Sequence, residues 1–302
     1  MAALLLLAGP SMVMPLRAAG VPSRPSGPPG PTAPAAAGAV SDRMAANWRH
    51  FWTHHMGAWR GRWTRYKPSG EILESFDSTR EFTANPTGTA ITQVNRYAYD
   101  DGRRVEKRWS FNSRDHNGTD GFRHPASGRM RGLALGNGAA VWLVPGLKPE
   151  SLALFELFLV RGGKRHSVGV VYGPDGRLLR TASIREALDG HTGTPWSREL
   201  EPVAPWSLRG AWRAEPRGMA ADLSTVAVDP VSERWPIEGN RQHFFPDQIV
   251  LSCPERISPT SPFTLAVWWL EDDDMLQQLV VSYDDRGHLR QVIHQDLVAM
   301  DR

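Results

Sequence analysis

Two short motifs each occur twice in this chain of 302 residues, in the same order. Gly57-Ala58-Trp59-Arg60 recurs as Gly210-Ala211-Trp212-Arg213, a G-x-W opening. Tyr172 to Leu178 and Tyr283 to Leu289 share a Y-x3-G-x-L close. A repeated opening and a repeated close imply a duplicated unit, and internal repetition decides the fold before any local propensity does. The residues between the motifs fall into short segments divided by turn signals, as antiparallel β-structure requires.

The first unit reads as strands over 59–66, 71–77, 79–83, 90–99, 103–111, 130–135, 139–144, 152–160, 165–172 and 178–184. The second reads as strands over 207–215, 224–228, 241–245, 248–253, 263–270, 277–283 and 289–299. An up-and-down barrel of about eight strands closes without free edges and can hold one small ligand. The expected fold class is therefore all-β: two tandem antiparallel β-barrels with a short N-terminal helix. Residues 1–40 read as a disordered leader, 45–190 as the first barrel, 191–205 as a Gly/Thr/Pro-rich linker and 206–302 as a second, smaller barrel.

The leader has no acidic residue before Asp42 and is rich in Ala, Pro, Gly and Ser. That composition predicts a plastid transit peptide, with a secretory signal as the alternative. Ser41 to His55 reads as a helix capped by Ser41 or Asp42, with Trp48, Phe51, Trp52 and His55 on one face; an aromatic stripe packed as ordinary core is the expected role, and a plug or flank at a barrel end is the alternative. No apolar run reaches the length of a transmembrane helix. The formal charge of +3 includes Arg17 and Arg24 of the leader, so nucleic-acid binding has no electrostatic support. The one cysteine, Cys253, excludes an intrachain disulfide and reads as a buried thiol; the histidines lack zinc-site spacing, so no metal is expected.

On the 90–99 strand, Gln93, Asn95, Tyr97 and Tyr99 share one face. Amides and phenols in a row suit the wall of a polar-lined cavity, or else an exposed strand. The candidate ligand-binding residues are Gln93, Asn95, Tyr97, Lys107, Trp109, Trp142, Glu156, Arg165, His166 and Tyr172. Arg165 and Ser167 share one strand face, while His166 and Tyr172 share the other. Glu156 on the neighbouring strand is placed to pair with Arg165 or His166, either as a polar anchor or as a pair that fixes register. A buried Arg165 demands an answer from Glu156 or from an anionic ligand.

The G-x-W near the start of a β-barrel resembles the lipocalin and wider calycin pattern. In that superfamily the tryptophan packs across the barrel base, and an arginine from a late strand stacks over it. The resemblance implies structural roles for Gly57, Trp59, Gly210 and Trp212. It implies Arg180 or Arg185 as the partner of Trp59, and Arg290 as the partner of Trp212. Two longer stretches resemble the domain of unknown function 3598 family, calycin-like proteins of cyanobacteria and photosynthetic eukaryotes. They are Phe155-Glu156-Leu157-Phe158 with Lys164 to Val168, and Phe245-Pro246-Asp247 with Ser252-Cys253-Pro254. The resemblance covers most of residues 45–302. That family is similar in fold to the S-type phycobiliprotein lyases, which bind an open-chain tetrapyrrole and hold its propionates with arginine and polar residues. No motif here maps onto the lyase site residue by residue, so only fold and ligand class are implied.

The expected function is a non-enzymatic carrier or chaperone for a tetrapyrrole, a carotenoid or a fatty acid. An enzyme drawing acid/base groups from His166, Glu156, Tyr97 and Lys107 is one alternative. A scaffold without a small-molecule ligand is the other.

Overall fold

Pro34 and the alanines that follow favour a helix, and in the computed structural model α1 (Pro34–His55) begins seven residues before the expected Ser41. Proline is tolerated in a first turn, and alanine has the highest helix propensity. The structure describes residues 34–208, 210–229 and 236–300. The leader expectation for residues 1–33 therefore lies outside the described residues, and residues 34–40 form the first turns of α1.

Gly57 turns the chain into β1 (Gly57–Tyr66). The first unit continues with β2 (Ile72–Ala84), β3 (Ala90–Tyr99), β4 (Arg104–Asn112), α2 (Ser113–His116), β5 (Asn117–Gly118), β6 (Gly121–His124), β7 (Ser127–Ala134), β8 (Ala140–Leu143), β9 (Ala153–Arg161), β10 (Lys164–Tyr172) and β11 (Leu178–Leu188). The two strands expected over 71–83 are one, because Ser78 stays in register opposite both Gly61 and Tyr97. These strands form an antiparallel sheet in the order β4-β3-β2-β1-β11-β10-β9-β8-β7-β6-β5. Its two ends meet through aromatic contacts: Trp109 and Phe111 of β4 lie 5.5 and 5.6 Å from the His124 ring of β6. The result is a nearly closed barrel.

The second unit contains β12 (Trp212–Ala220), β13 (Thr225–Val226), β14 (Arg241–Phe245), β15 (Ile249–Cys253), β16 (Phe263–Asp272), β17 (Met275–Tyr283) and β18 (Leu289–Ala299). They pair in the order β13-β12-β18-β17-β16-β15-β14. The expected 207–215 strand starts at Trp212 instead, and Trp206 and Leu208 pack onto the sheet face as coil. The chain is thus all-β, with two tandem antiparallel units behind an N-terminal helix.

The repeated motifs occupy equivalent places. Each G-x-W leads into the first strand of its unit, which pairs with the last strand, β1 with β11 and β12 with β18. Each Y-x3-G-x-L is the turn into that last strand, with a register shift at the tyrosine. The two turns are exchanged between units. Leu178 N donates to Glu255 O and Ile257 N to Gly176 O, both at 2.9 Å; Leu147 N donates to Gly287 O and Leu289 N to Pro145 O, both at 2.8 Å. The motif tyrosines cross the same junction: the Tyr172 hydroxyl donates to Pro254 O at 2.9 Å and the Tyr283 hydroxyl to Val144 O at 2.5 Å. Tyr172 is therefore a tie between the units rather than part of a barrel interior.

Because one face of the second sheet packs on the outside of the first barrel, one hydrophobic cluster runs through both units, from Trp63 and Phe155 to Leu251, Val267 and Val281. Seven consecutive residues of β9, Ala153 to Leu159, are buried for that reason, since lumen and junction cover its two faces.

Gly176 and Gly287 are the exchange points. Both have left-handed backbones, with φ of 77° and 69°. A Cβ on Gly176 would meet Ile257 O at 2.2 Å, and one on Gly287 would meet Pro259 Cα at 2.8 Å. Gly176→Ala and Gly287→Ala are each expected to lower unfolding free energy by about 1–3 kcal/mol. Urea denaturation checks this; unchanged midpoints in both variants would contradict the exchange as a stabilising contact.

Candidate functional site

Alternation along the strands fixes which residues enter the first barrel. Trp59, Gly61, Trp63 and Arg65 lie on one face of β1, opposite Arg80, Ser78, Phe76 and Glu74 of β2 and Leu188, Glu186, Ile184 and Ala182 of β11. The same face carries Gln93, Asn95 and Tyr97 of β3, Lys107 and Trp109 of β4, Arg165 and Ser167 of β10, and Glu156 and Phe158 of β9. Directly opposed residues in a ladder share a face. His166 is on the other side of β10, its Nε2 3.2 Å from the Ser183 hydroxyl and its ring beside Trp196, so it faces the junction and not the lumen.

Helix α1 plugs one end. Phe51 contacts Phe122 and Trp142 at 4.9 and 5.6 Å, and Trp52 contacts Phe111 at 5.0 Å. Trp142 belongs to this packed aromatic cluster, which it shares with Phe122 and His124. The aromatic stripe read from the sequence is thus the plug.

Below the plug lies a buried network of four charges. Arg80 Nε and Nη2 donate to the two Glu186 oxygens at 2.7 and 2.5 Å, and Arg80 Nη1 donates to Glu156 Oε1 at 3.0 Å. Arg165 Nε donates to Glu186 Oε2 at 2.9 Å, and the Ser167 hydroxyl donates to Glu156 Oε1 at 3.0 Å. All four charged residues are at most 2% exposed. Burial alone would push the Glu186 pKa up, but Arg165 and Arg80 together hold it below the ordinary carboxylate value. Burial drives the Arg165 pKa down to about 10 even with Glu186 beside it. His55 Nδ1 lies 3.3 Å from Arg165 Nη1, and burial followed by the Arg165 charge keeps its imidazole well below the ordinary pKa.

Three expectations are corrected here. Glu156 lies opposite Gly169, not Arg165, and it answers Arg80. The arginine over Trp59 is Arg165, its guanidinium 4.4 Å from the ring, and not Arg180 or Arg185. Arg185 faces outward, where it binds Asp247 and donates to the Ser197 and Glu199 carbonyls at 3.3 and 2.5 Å. Arg290 is exposed and nine residues along β18 from Ala299, the partner of Trp212. At about 3.3 Å per residue it is roughly 30 Å away, out of reach of that ring. Arg80 and Glu186, the centre of the network, were not singled out from the sequence.

The end of the lumen away from α1 is different. Arg65 is 3% exposed, pairs with Glu74 and lies 5.0 Å from the Phe76 ring. Two positions beyond Ala182 on the same face, Arg180 has no ion pair or hydrogen bond among the described residues, and its Nε is buried. The Nε of Arg65 is likewise buried without a partner. Burial and then Arg65 lower the Arg180 pKa to about 10, and the same two causes lower Lys107 to about 8. The Lys107 ammonium lies 5.8 Å from the Tyr97 ring centre. Gln93 donates to Asn95 at 2.9 Å and Asn95 donates to the Tyr97 oxygen at 2.8 Å, a buried polar row leading toward this end. Val105, Lys107 and Trp109 face inward yet are partly exposed, so solvent reaches the lumen alongside β4. The inward wall thus carries Arg65, Arg80, Arg165, Arg180 and Lys107 against Glu74, Glu156 and Glu186, an excess of positive charge gathered at the open end.

Residues 44–191 match the family described as Domain of unknown function (DUF3598), N-terminal. A crystal structure of a protein of unknown function from the DUF3598 family of Nostoc punctiforme is similar, with 18% identity and a TM-score of 0.63, over 84% of this chain and 99% of that one. The S-type phycobiliprotein lyase of Guillardia theta matches at 12% identity and a TM-score of 0.33, over 50% of this chain and 97% of that one. No curated protein matches this chain. Among the described residues, no three His, Cys, Asp or Glu side chains are grouped to hold a metal, and no helix is long and apolar enough to cross a membrane.

Glu186→Gln leaves two buried guanidinium groups facing one carboxylate and is expected to cost about 3–5 kcal/mol in urea unfolding, as for breaking a buried pair. A loss below about 1 kcal/mol would mean the network is solvated. Burial depresses the pKa of His55, His166 and His124, the last to about 3, while the unfolded chain titrates near 6.5. A depressed folded-state pKa gives stability that is fully present above the unfolded value and lost as pH falls. Stability measured from pH 8 to 5 is expected to be flat down to about 6.5 and then to fall, less steeply in His55→Phe. A flat profile to pH 5 would contradict neutral burial of these rings.

Proposed function

We propose that the first barrel, where residues 44–191 match the DUF3598 N-terminal family, is a non-enzymatic carrier or chaperone site. Its ligand is amphipathic and acidic, and an open-chain tetrapyrrole dicarboxylate is the best match. The observation that carries this reading is Arg180, a mostly buried guanidinium without an ion pair, beside Arg65. A buried cation is costly until an anion answers it, and guanidinium groups grip carboxylates through forked donors. Two arginines with orphaned Nε atoms can engage two acid groups. A carotenoid hydrocarbon offers none, and a fatty acid offers one. The flat body of the ligand would lie along Tyr97 and Trp109, with amide partners at the Gln93–Asn95 row.

The charge network and the plug set the depth of the site, so Glu156 and Arg165 form its floor rather than its anchors. The acid/base set considered for an enzyme is divided among three places: Glu156 is held by Arg80, His166 faces the junction, and only Tyr97 and Lys107 adjoin. The composition of the leader makes the plastid the proposed compartment, with secretion as the alternative.

The test titrates a linear tetrapyrrole diacid and its dimethyl ester into the full-length protein and follows pigment absorption. The diacid is expected to bind at one equivalent, and the ester at least roughly tenfold more weakly. Arg65→Gln and Arg180→Gln should each weaken the diacid by roughly ten- to a hundredfold, while Arg198→Gln on the outer surface leaves it unchanged. Equal affinity for acid and ester, or indifference to both lumen substitutions, would contradict the assignment.

A further inference from the structure

A groove of about 630 Å³ runs beside α1 on the side of the β2–β3 hairpin and α2. It is separate from the open end of the lumen. Its helical wall extends from Ser41 to Thr53 and on to Met56, about 20 Å at 1.5 Å per residue, so the groove is long rather than round. Met44, Trp48, Trp52, Met56 and Ile91 supply its apolar lining. Methionine suits such a site because its unbranched thioether adapts to an irregular apolar surface.

Three features set this groove apart from an ordinary surface crease. None of its lining residues is acidic, while Arg49 and Arg114 stand exposed on its rim, and neither has an ion pair among the described residues. Trp52 is 4% exposed, and its Nε1 is buried without a partner. Trp48 by contrast donates to Gly88 O at 3.0 Å, which pins the hairpin to the helix and keeps the groove formed. The volume falls within the range of small-molecule sites.

We infer that this groove is a second ligand site that takes a single-chain acid of the fatty-acid class, the chain along Met44, Trp48, Trp52 and Met56 and the carboxylate at the Arg49/Arg114 rim. The length and the apolar lining favour a hydrocarbon chain, and the rim favours one negative end. This site does not depend on the lumen assignment, because the two share no residue.

The experiment uses full-length protein and cis-parinaric acid, a polyene fatty acid whose fluorescence is excited by transfer from nearby tryptophans, Trp48 and Trp52 among them. Saturable binding at one equivalent is expected, with displacement by oleate and not by methyl oleate. Thr53→Trp, at an exposed α1 position on the groove wall, should reduce affinity at least tenfold by filling the space. The Arg49→Glu/Arg114→Glu pair, both on the surface, should do the same by reversing the rim charge. A saturating tetrapyrrole diacid and the Arg180→Gln variant should leave parinarate binding unchanged. No saturable binding, insensitivity to both groove variants, or equal displacement by methyl oleate would overturn the site. Competition by the diacid together with loss in Arg180→Gln would move the fatty acid into the lumen and likewise overturn it.

Discussion

The paired charges of Arg80, Glu186, Arg165 and Glu156, sealed inside the first barrel, govern what that barrel can do. Each would be costly alone in an apolar interior, and their mutual hydrogen bonds make the set tolerable only as a whole. The network divides the lumen. On the α1 side, Arg165 lies over Trp59 and against His55, and aromatic rings fill the space. On the other side the acids run out: Glu74 serves Arg65, while Arg180 stands without an ion pair. The proposed anion-binding role of the lumen rests on that uneven distribution, not on any single motif.

The duplicated unit has a consequence beyond symmetry. Each unit lends its last turn to the other, and the two motif tyrosines reach across in opposite directions. The second sheet therefore shields the outer face of β9 and β10. That shielding buries His166 behind the wall that carries the charged floor. The proposed carrier site rests on a wall braced from behind.

Much of this architecture is legible in the residues. The repeated G-x-W and Y-x3-G-x-L motifs mark the first and last strands of both units, and strict alternation over Ala90 to Tyr99 reveals the polar row of Gln93, Asn95 and Tyr97. The shared face of Arg165 and Ser167 follows from the same rule, and so does the need of an inward Arg165 for an acid; which face is inward does not. What stays hidden is pairing over long separations. Arg80 and Glu186 are 106 residues apart, and nothing local in either segment names the other. Reading 71–83 as two strands also breaks the alternation that would have set Arg80 on the same face as Phe76 and Phe82. Arg185 and Glu186 are adjacent, and a shift of one residue exchanges lumen for surface. For that reason the arginine over Trp59 is Arg165, from the strand next to the expected one. The Trp212 pairing fails for a different reason: Arg290 sits at the far end of its strand, a matter of register that spacing alone does not reveal.

The most direct test of an acid-binding lumen is proton linkage. Burial and Arg65 lower the Lys107 pKa to about 8. A bound carboxylate close to it favours the ammonium and raises that value, so the protein takes up protons on binding. Calorimetric titration of the tetrapyrrole diacid at pH 8, in buffers of different ionisation enthalpy, measures this directly. Uptake of up to about half a proton per ligand is expected, and it should vanish in Lys107→Met. Binding without proton exchange, or with the same exchange in Lys107→Met, would contradict a ligand acid group seated at the open end of the first barrel.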